Sequence, residues 1–298
     1  MYSFQPARGS TKRSLRDLIA TSQPVMAPGC FDALSARLVE EAGFTAAYMT
    51  GYGCAATHLG RPDVGLMTMS EMVDKARRIV DAISIPLVAD ADTGYGNAIN
   101  VIRTVREYER AGVAAIHLED QSLPKKCGHM ENKQLVSTRE AVDKIRAAVD
   151  TRTSEDFLII ARTDARAVEG LEAAIERGHR LHDAGADLIF IEAPQTEAEI
   201  VRVSQAFRGV PLLFNWAEGG KTPPMSQARL AELNYAMVIF PVSTMLSAMA
   251  AMRAALARIR QDGTPVNLVS GYIGFKEFND FMGLPEVKSL EVRYSQDP

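Results

Sequence analysis

No stretch of the 298-residue sequence is apolar for long enough to span a bilayer, so nothing in it argues for a membrane helix. Charged residues make up 23% of the chain, but the net charge is only −4, with neither a basic stripe nor a long block of one sign. Nucleic-acid binding and charged interaction tails therefore find no support. The first fourteen residues hold Arg8, Lys12 and Arg13 but no apolar core, which argues against a secretory signal and for a short disordered tail. Cysteine is scarce. Cys30, Cys54 and Cys127 are too few and too far apart for a disulfide framework or a zinc site, and they suit a reducing cytoplasm. Gly94-Tyr-Gly96 is too short for a dinucleotide fingerprint and no Gly-x-x-x-x-Gly-Lys-Ser/Thr loop occurs, so nucleotide chemistry is not indicated.

What is present is a regular alternation. Apolar residues are 47% of the chain and gather in eight short runs: 25–27, 46–49, 86–89, 113–118, 157–160, 187–191, 210–214 and 236–240. Amphipathic segments lie between them. Asp32 to Ala42 puts Leu34, Leu38 and Val39 on one face, and Met72, Val73, Ala76, Ile79, Val80 and Ile83 do the same in the next. Capping boxes are expected at Thr68–Glu71, Ser137–Glu140 and Thr196–Glu199. Ala-Gly pairs at 42–43, 111–112 and 184–185 offer left-handed helix ends. Eight β-α units predict an α/β fold, a closed parallel (β/α)8 TIM barrel, with a doubly wound open sheet as runner-up. Residues 1–298 read as one barrel domain with a short N-terminal tail and a C-terminal extension. Ser243 to Arg260 reads as a long helix whose methionines 245, 249 and 252 serve packing. Beyond Gly263 the chain reads as irregular but apolar, with Leu268, Tyr272, Phe275, Phe278 and Phe281 expected to pack on the barrel's base or a neighbouring subunit.

In such a barrel chemistry sits at the C-terminal ends of the strands, where polar residues collect here. Asp90 and Asp92 are two apart, so in a continuing strand both carboxylates face one side. With Glu119 from the next strand they make an all-oxygen site suited to Mg²⁺ or Mn²⁺; capping of the next helix is the simpler use of one of them. Arg162 is a carboxylate or phosphate clamp, or an ion-pair partner of Asp164 or Glu192. His117 reads as a buried core histidine. The connection from Gln121 to Ser137 is long for a β-to-α loop and carries Lys125-Lys-Cys-Gly-His129. It reads as a lid. Nearby cations favour thiolate, making Cys127 a candidate reactive cysteine; an incidental cysteine in a basic loop is the other reading.

The segments Val88-Ala-Asp-Ala-Asp-Thr-Gly-Tyr-Gly96, Lys125-Lys-Cys-Gly-His129, Ala161-Arg-Thr-Asp164 and Asn215-Trp-Ala-Glu-Gly-Gly-Lys-Thr-Pro223 together resemble the isocitrate lyase/phosphoenolpyruvate mutase superfamily. The resemblance runs from about Pro24 to Met252. It implies a barrel whose final helix is swapped between subunits in a dimer of dimers. It also implies Mg²⁺-assisted binding of small di- or tricarboxylates. By resemblance, Asp90 and Asp92 hold the metal, with Asp63 and Glu119 reaching it. Thr50, Gly51 and Tyr52 receive a substrate carboxylate. Gly128, Arg162, Glu192 and Asn215 are further substrate contacts, Cys127 is the catalytic cysteine, and Tyr48 helps proton transfer.

The cysteine loop looks like that of the carbon–carbon lyases and unlike that of the phosphoenolpyruvate mutases. Ala217 and Leu246 stand where methylisocitrate lyases commonly hold a third carboxylate, whereas Glu218-Gly-Gly-Lys-Thr-Pro223 looks like the branch acting on dimethylmalate, other 2-alkylmalates or oxaloacetate. Expected is a lyase for a small 2-hydroxy or 2-keto dicarboxylate. The alternatives are a carboxyvinyl-carboxyphosphonate phosphorylmutase, an oxaloacetate hydrolase, or a non-catalytic metabolite-binding barrel.

Overall fold

The computed structural model describes residues 13–295, so the expected N-terminal tail lies almost wholly outside the described residues. Eight strands follow the eight apolar runs: β1 (Val25–Cys30), β2 (Ala47–Met49), β3 (Leu87–Asp90) and β4 (Ala115–Glu119), then β5 (Leu158–Thr163), β6 (Leu188–Ile191), β7 (Leu212–Asn215) and β8 (Tyr235–Phe240). Each pairs in parallel with its neighbour in sequence, and β1 closes on β8, with Val25 opposite Met237. The closed order excludes the doubly wound sheet. The chain divides into two compact units, one spanning Arg13–Met245 and holding the barrel, the other taking in the chain from Leu246 onward.

The strand alternation sorts residues into two cores. One contains Val25, Ala27, Tyr48, Val88, Ala115, Leu158, Ile160, Leu188, Phe190, Leu213, Met237 and Ile239, and it fills the barrel. A helix that the sequence reading missed, Leu15–Ile19, adds Leu15, Leu18 and Ile19 to this interior, and Arg16 reaches Asp187 at 2.8 Å. The other core holds the alternate strand residues, such as Met49, Ala89, Ile116 and Ile159, against helical Val73, Ala76, Ile145 and Leu181.

Several local expectations change. In the helix Ala33–Glu41, Leu34 and Leu38 are exposed and only Ser35, Ala36 and Val39 are buried, because small side chains face the strands there. Thr68 and Glu71 form a reciprocal capping box. Ser137 and Thr196 each accept one backbone N–H, but Glu199 turns instead to Arg166 and the N–H of Gln195. Gly43, Gly112 and Gly185 are left-handed as expected. The second unit is helical where irregular chain was expected, with helices Phe275–Phe281 and Leu284–Tyr294 after a 3-10 turn at Val266–Gly271. Met249 and Met252, read as packing residues, are exposed, as are Tyr272, Phe275 and Phe278.

Barrel closure leaves no room at one glycine. A Cβ on Gly29 would lie 2.5 Å from the Pro241 carbonyl oxygen and 2.8 Å from that of Phe240, both rigid backbone. Gly29→Ala should cost about 1–3 kcal/mol, the usual range for overpacking, seen as a lower denaturant midpoint at unchanged m-value. Gly271→Ala, with nothing within 4 Å of the new Cβ, should move the midpoint negligibly.

Candidate active site

The inward-facing set of strand residues ends in chemistry. Two residues beyond Val88, Ile160, Phe190 and Leu213 come Asp90, Arg162, Glu192 and Asn215, and Glu119 ends β4 on the same face as Ala115 and His117. All but Asn215 are buried. Asp92 reaches the same place by another route than expected: β3 stops at Asp90, and Asp92 takes a left-handed conformation at φ 46°. A turn, not a continuing strand, brings the pair together, with the Asp92 N–H donating to Asp90 Oδ1 at 2.9 Å.

Asp63, from the loop after the helix Gly51–Leu59, completes an acidic half with Asp90, Asp92 and Glu119. Lys125 neutralises part of it, its Nζ lying 2.6 Å from both Asp63 Oδ1 and Asp92 Oδ1. Burial opposes ionisation of Asp90, but His117, Lys125 and Arg162 outweigh it and hold this carboxyl down at about 2. Burial wins at Asp92, where Asp90 and Asp63 add repulsion that Lys125 does not cancel, and its carboxyl is pushed up to about 7.

Four carboxylates within one buried half give a hard-cation donor set, and Glu119 Oε1 has no hydrogen-bond partner. On that observation the residues fit a divalent metal. Among the described residues, no three His, Cys, Asp or Glu side chains converge closely enough to hold one as they stand. The Lys125 ammonium stands between two of the acids.

The other half is cationic. Arg162 donates through Nε to Asp164 Oδ2 at 3.0 Å, and its other nitrogens reach Asp164 Oδ1 at 3.2 Å and Glu119 Oε2 at 3.3 Å. Both ion-pair partners weighed from sequence are therefore present, since Glu192 Oε2 lies 3.6 Å from Nε. Lys133 also binds Asp164, at 2.7 Å, and donates to the Gly128 carbonyl. Burial works against ionised Asp164, yet Arg162 and Lys133 hold it at about 2.

The Gln121–Ser137 connection lies folded down on these groups. Gln121 braces it by bonding both the N–H and the carbonyl of Lys126, at 2.9 and 2.8 Å. The Cys127 N–H donates to the Asp63 carbonyl at 3.2 Å. Gly128 packs where a Cβ would strike Arg162 and Glu192. The thiol does not follow the expectation that its lysines favour thiolate. Burial dominates, opposed by the backbone N–H of His129, and Cys127 is raised to about 11. Lys125 is meanwhile committed to Asp63 and Asp92. His129 accepts the Lys221 N–H at Nδ1, 3.1 Å away, and its Nε2 lies 3.4 Å from Glu192 Oε1. Asn215 Nδ2 contacts both Glu192 oxygens at 3.3 Å.

Tyr48 projects into the barrel and shares a 2.7 Å hydrogen bond with His117 Nε2. Burial keeps this tyrosine strongly protonated and lowers His117 to about 4, so both are neutral at pH 7. His117 is thus the buried, hydrogen-bonded histidine expected. Thr50 caps the helix Gly51–Leu59, and Gly51 and Tyr52 form its first turn. Thr50 accepts the Gly53 N–H, and the Gly51 N–H points at Asp90 Oδ2, 3.2 Å away.

All thirteen site residues expected from sequence belong to the barrel unit, and ten of them contact one another as described; Tyr48 meets His117, Thr50 meets Gly53, and Tyr52 is half-buried on its helix. Sequence reasoning missed Lys125 as an acid-neutralising residue, Lys133 altogether, and the contacts of His129. The available signal was the spacing of lysines within a loop that follows an acid-rich strand end.

The buried Asp164 carboxylate should show in acid. Its pKa is depressed on folding, so its contribution is present above the unfolded value near 4 and is lost as pH falls toward 2. The difference in unfolding free energy between the wild type and Asp164→Asn should shrink by about 2 kcal/mol over that window, measured by denaturant titration at each pH.

Comparison with known proteins agrees with this geometry. The phosphoenolpyruvate phosphomutase family profile matches residues 15–260. The 2,3-dimethylmalate lyase of Eubacterium barkeri is 49% identical over 286 residues, covering 96% of this chain and 99% of the relative. A 2-methylisocitrate lyase of Shewanella oneidensis is 40% identical, covering 95% and 97%. Among solved structures, a 2,3-dimethylmalate lyase superposes with a TM-score of 0.88 at 40% identity, covering 94% of this chain and 93% of that one. A phosphonopyruvate hydrolase bound to oxalate and Mg²⁺ superposes at 0.87 and 34% identity, covering 95% and 98%. On the sequence segments, the closed barrel and the site at its strand ends, the chain belongs to the PEP mutase/isocitrate lyase superfamily.

Proposed function

We propose that this protein is a Mg²⁺- or Mn²⁺-dependent carbon–carbon lyase acting on a small 2-hydroxy dicarboxylate of the 2-alkylmalate type, with 2,3-dimethylmalate as the leading candidate. The observation that carries the reading is geometric: the half-buried Cys127 is held by its N–H on the Asp63 carbonyl, on a loop folded over the acidic half and the Arg162 clamp. The 49% identity to a dimethylmalate lyase supports the choice of substrate. Ala217 also supports a dicarboxylate, because it brings no partner for a third carboxylate, whose unpaired burial would be costly.

In this reading Asp90 and Asp92 would hold the metal, with Asp63 and Glu119 as its further acidic neighbours. When bound, it supplies a positive charge that stabilises negative charge on the substrate's carboxylate and 2-oxygen. Arg162 holds a substrate carboxylate, and the N-terminus of the helix Gly51–Leu59, capped by Thr50, favours an anion at Gly51 and Tyr52. Gly128, Glu192 and Asn215 line the rest. The 2-hydroxyl passes its proton to the Tyr48 oxygen as the phenol hands its own to the neutral His117 Nε2, 2.7 Å away, where it is held until the thiolate needs it. The C2–O bond becomes a carbonyl as the C2–C3 pair leaves with C3, forming a keto acid and an enediolate of the other carboxylate. Cys127 delivers its proton to C3, and the thiolate is reprotonated by the proton released from the hydroxyl. Closure of the 121–137 loop keeps water from the enediolate.

The same reading takes the whole chain as one barrel domain with a helical extension. It places the protein in the cytoplasm, in keeping with three free cysteines and no described helix long and apolar enough to cross a membrane. Exposed Tyr272, Phe275 and Tyr294 support assembly as a dimer of dimers with the final helices exchanged.

A panel of malate derivatives, methylisocitrate, oxaloacetate and phosphonopyruvate, assayed for keto acid, oxalate and phosphate release, tests the function. Keto acid should appear from a 2-alkylmalate; release only of phosphate or oxalate would overturn the lyase assignment. Chelator treatment should abolish turnover, and added Mg²⁺ or Mn²⁺ should restore it. Cys127→Ser should lose about 10²–10⁴-fold in kcat while retaining its fold and substrate-analogue binding, since an alcohol is a far poorer proton donor. Near-normal turnover of the serine variant would move the acid role to another group.

A further inference from the structure

The Asn215–Pro223 segment is used only in part by the chemistry above. Its remaining residues form a seat. Gly220 is placed so that a Cβ would lie 2.8 Å from His129 Cε1 and 2.9 Å from Nδ1, so the imidazole rests directly on the backbone. The next N–H, that of Lys221, donates to Nδ1 at 3.1 Å. The segment is itself folded, with the Gly220 N–H returning to the Ala217 carbonyl at 3.1 Å. Because Nδ1 accepts, the ring proton sits on Nε2, which faces Glu192 at 3.4 Å. One side chain therefore joins the loop after β4, the loop after β7 and the end of β6.

We propose that His129 is a positioning residue that latches the Cys127 loop onto the 216–226 loop through the Gly220–Lys221 seat, so that the two loops close as one body. The kinetic consequence rests on the lyase reading; the mechanical coupling does not. Closure places two neighbours of His129 in the site. Gly128 is wedged against Arg162 and Glu192, and Cys127 is held to the Asp63 carbonyl. Lys125 and Lys133 anchor the same loop to Asp63, Asp92 and Asp164. Neither of those two anchors touches the β7 loop, whereas Lys221 adds only a 3.8 Å contact to Glu131 between largely exposed side chains. The coupling between the two loops therefore runs through His129.

Isosteric substitutions separate the two ends of the ring. The amide oxygen of asparagine can replace Nδ1 but does not reach Glu192; the amide of glutamine reaches Glu192 but leaves Lys221 unpaired. The single tryptophan, Trp216, lies at the start of the β7 loop and 6.1 Å from the Phe240 ring, so its emission reports on that loop without any substrate. Hydrogen exchange across 121–137 and 216–226 and Trp216 emission should be measured for His129→Ala, His129→Asn, His129→Gln, Gly220→Ala and the double variant His129→Ala/Gly220→Ala. kcat/KM should be measured on the 2-alkylmalate that turns over.

In His129→Ala and Gly220→Ala both loops should exchange faster, by about ten-fold, with a shifted Trp216 emission and a loss in kcat/KM within the roughly 5–150-fold range of site couplings. His129→Asn should keep most of the wild-type behaviour and His129→Gln should not. The double variant should match His129→Ala, because an alanine at 220 has no ring left to displace. The latch is overturned if exchange rises in one loop alone, if glutamine rescues and asparagine does not, or if the two single effects add. If no malate turns over, the exchange and emission results still decide the latch, and only the lyase reading falls.

Discussion

The structure depends on confining acids. Asp63, Asp90, Asp92, Glu119, Asp164 and Glu192 are all buried around the strand ends, and the buried cations facing them are Lys125, Lys133 and Arg162. Ionised carboxylates removed from water are tolerated only when paired and hydrogen-bonded. The pairing here is uneven. Asp164 is bonded to Arg162 and Lys133, and Asp90, though buried, is held low by the fields of His117, Lys125 and Arg162, whereas burial outweighs Lys125 at Asp92 and Arg162 at Glu119 and pushes both toward the protonated form. An excess of acid over base, concentrated on one side, suits a divalent cation. Two of the three balancing charges, Lys125 and Lys133, come from the 121–137 loop, so the neutralisation depends on that loop lying folded over the strand ends.

Much of this arrangement is legible in the sequence, and the reason is the strand alternation. A barrel interior demands apolar residues at every second position, so a polar residue in that register, such as Asp90, Glu119, Arg162 or Glu192, breaks the pattern at a known height. His117 breaks it one layer lower, where Tyr48 bonds its Nε2 and its buried Nδ1 has no hydrogen-bond partner. What stayed hidden is what alternation does not govern. Asp92 enters the site through a left-handed turn, a conformation that a period-two pattern does not foresee. Lys133 folds back from a loop position to pair with Asp164, a contact over 31 residues that no local periodicity encodes. Leu34 and Leu38 followed helical spacing yet face outward, because small residues at 35 and 36 already meet the sheet.

Glycine carries much of the loop geometry. Gly128 and Gly220 have no unusual requirement for positive φ; each is small because a functional side chain occupies the space its Cβ would fill, Arg162 and Glu192 in one case and His129 in the other. Gly29 does the same where β1 meets the end of β8. In each case the absent side chain lets one segment sit directly on another, which is how loops of modest length come to hold buried charge without a large apolar core of their own.

The raised pKa of Cys127 has a consequence for the protein's exposure to oxidants. Peroxides and electrophiles attack thiolate, and a thiol at about 11 offers almost none at neutral pH. With the loop folded down as it is, the same burial that keeps the proton on Cys127 also shields its sulfur from sulfenylation. If the loop opens as proposed, damage falls on the open state, and the rate of Cys127 oxidation reports how long the loop stays lifted.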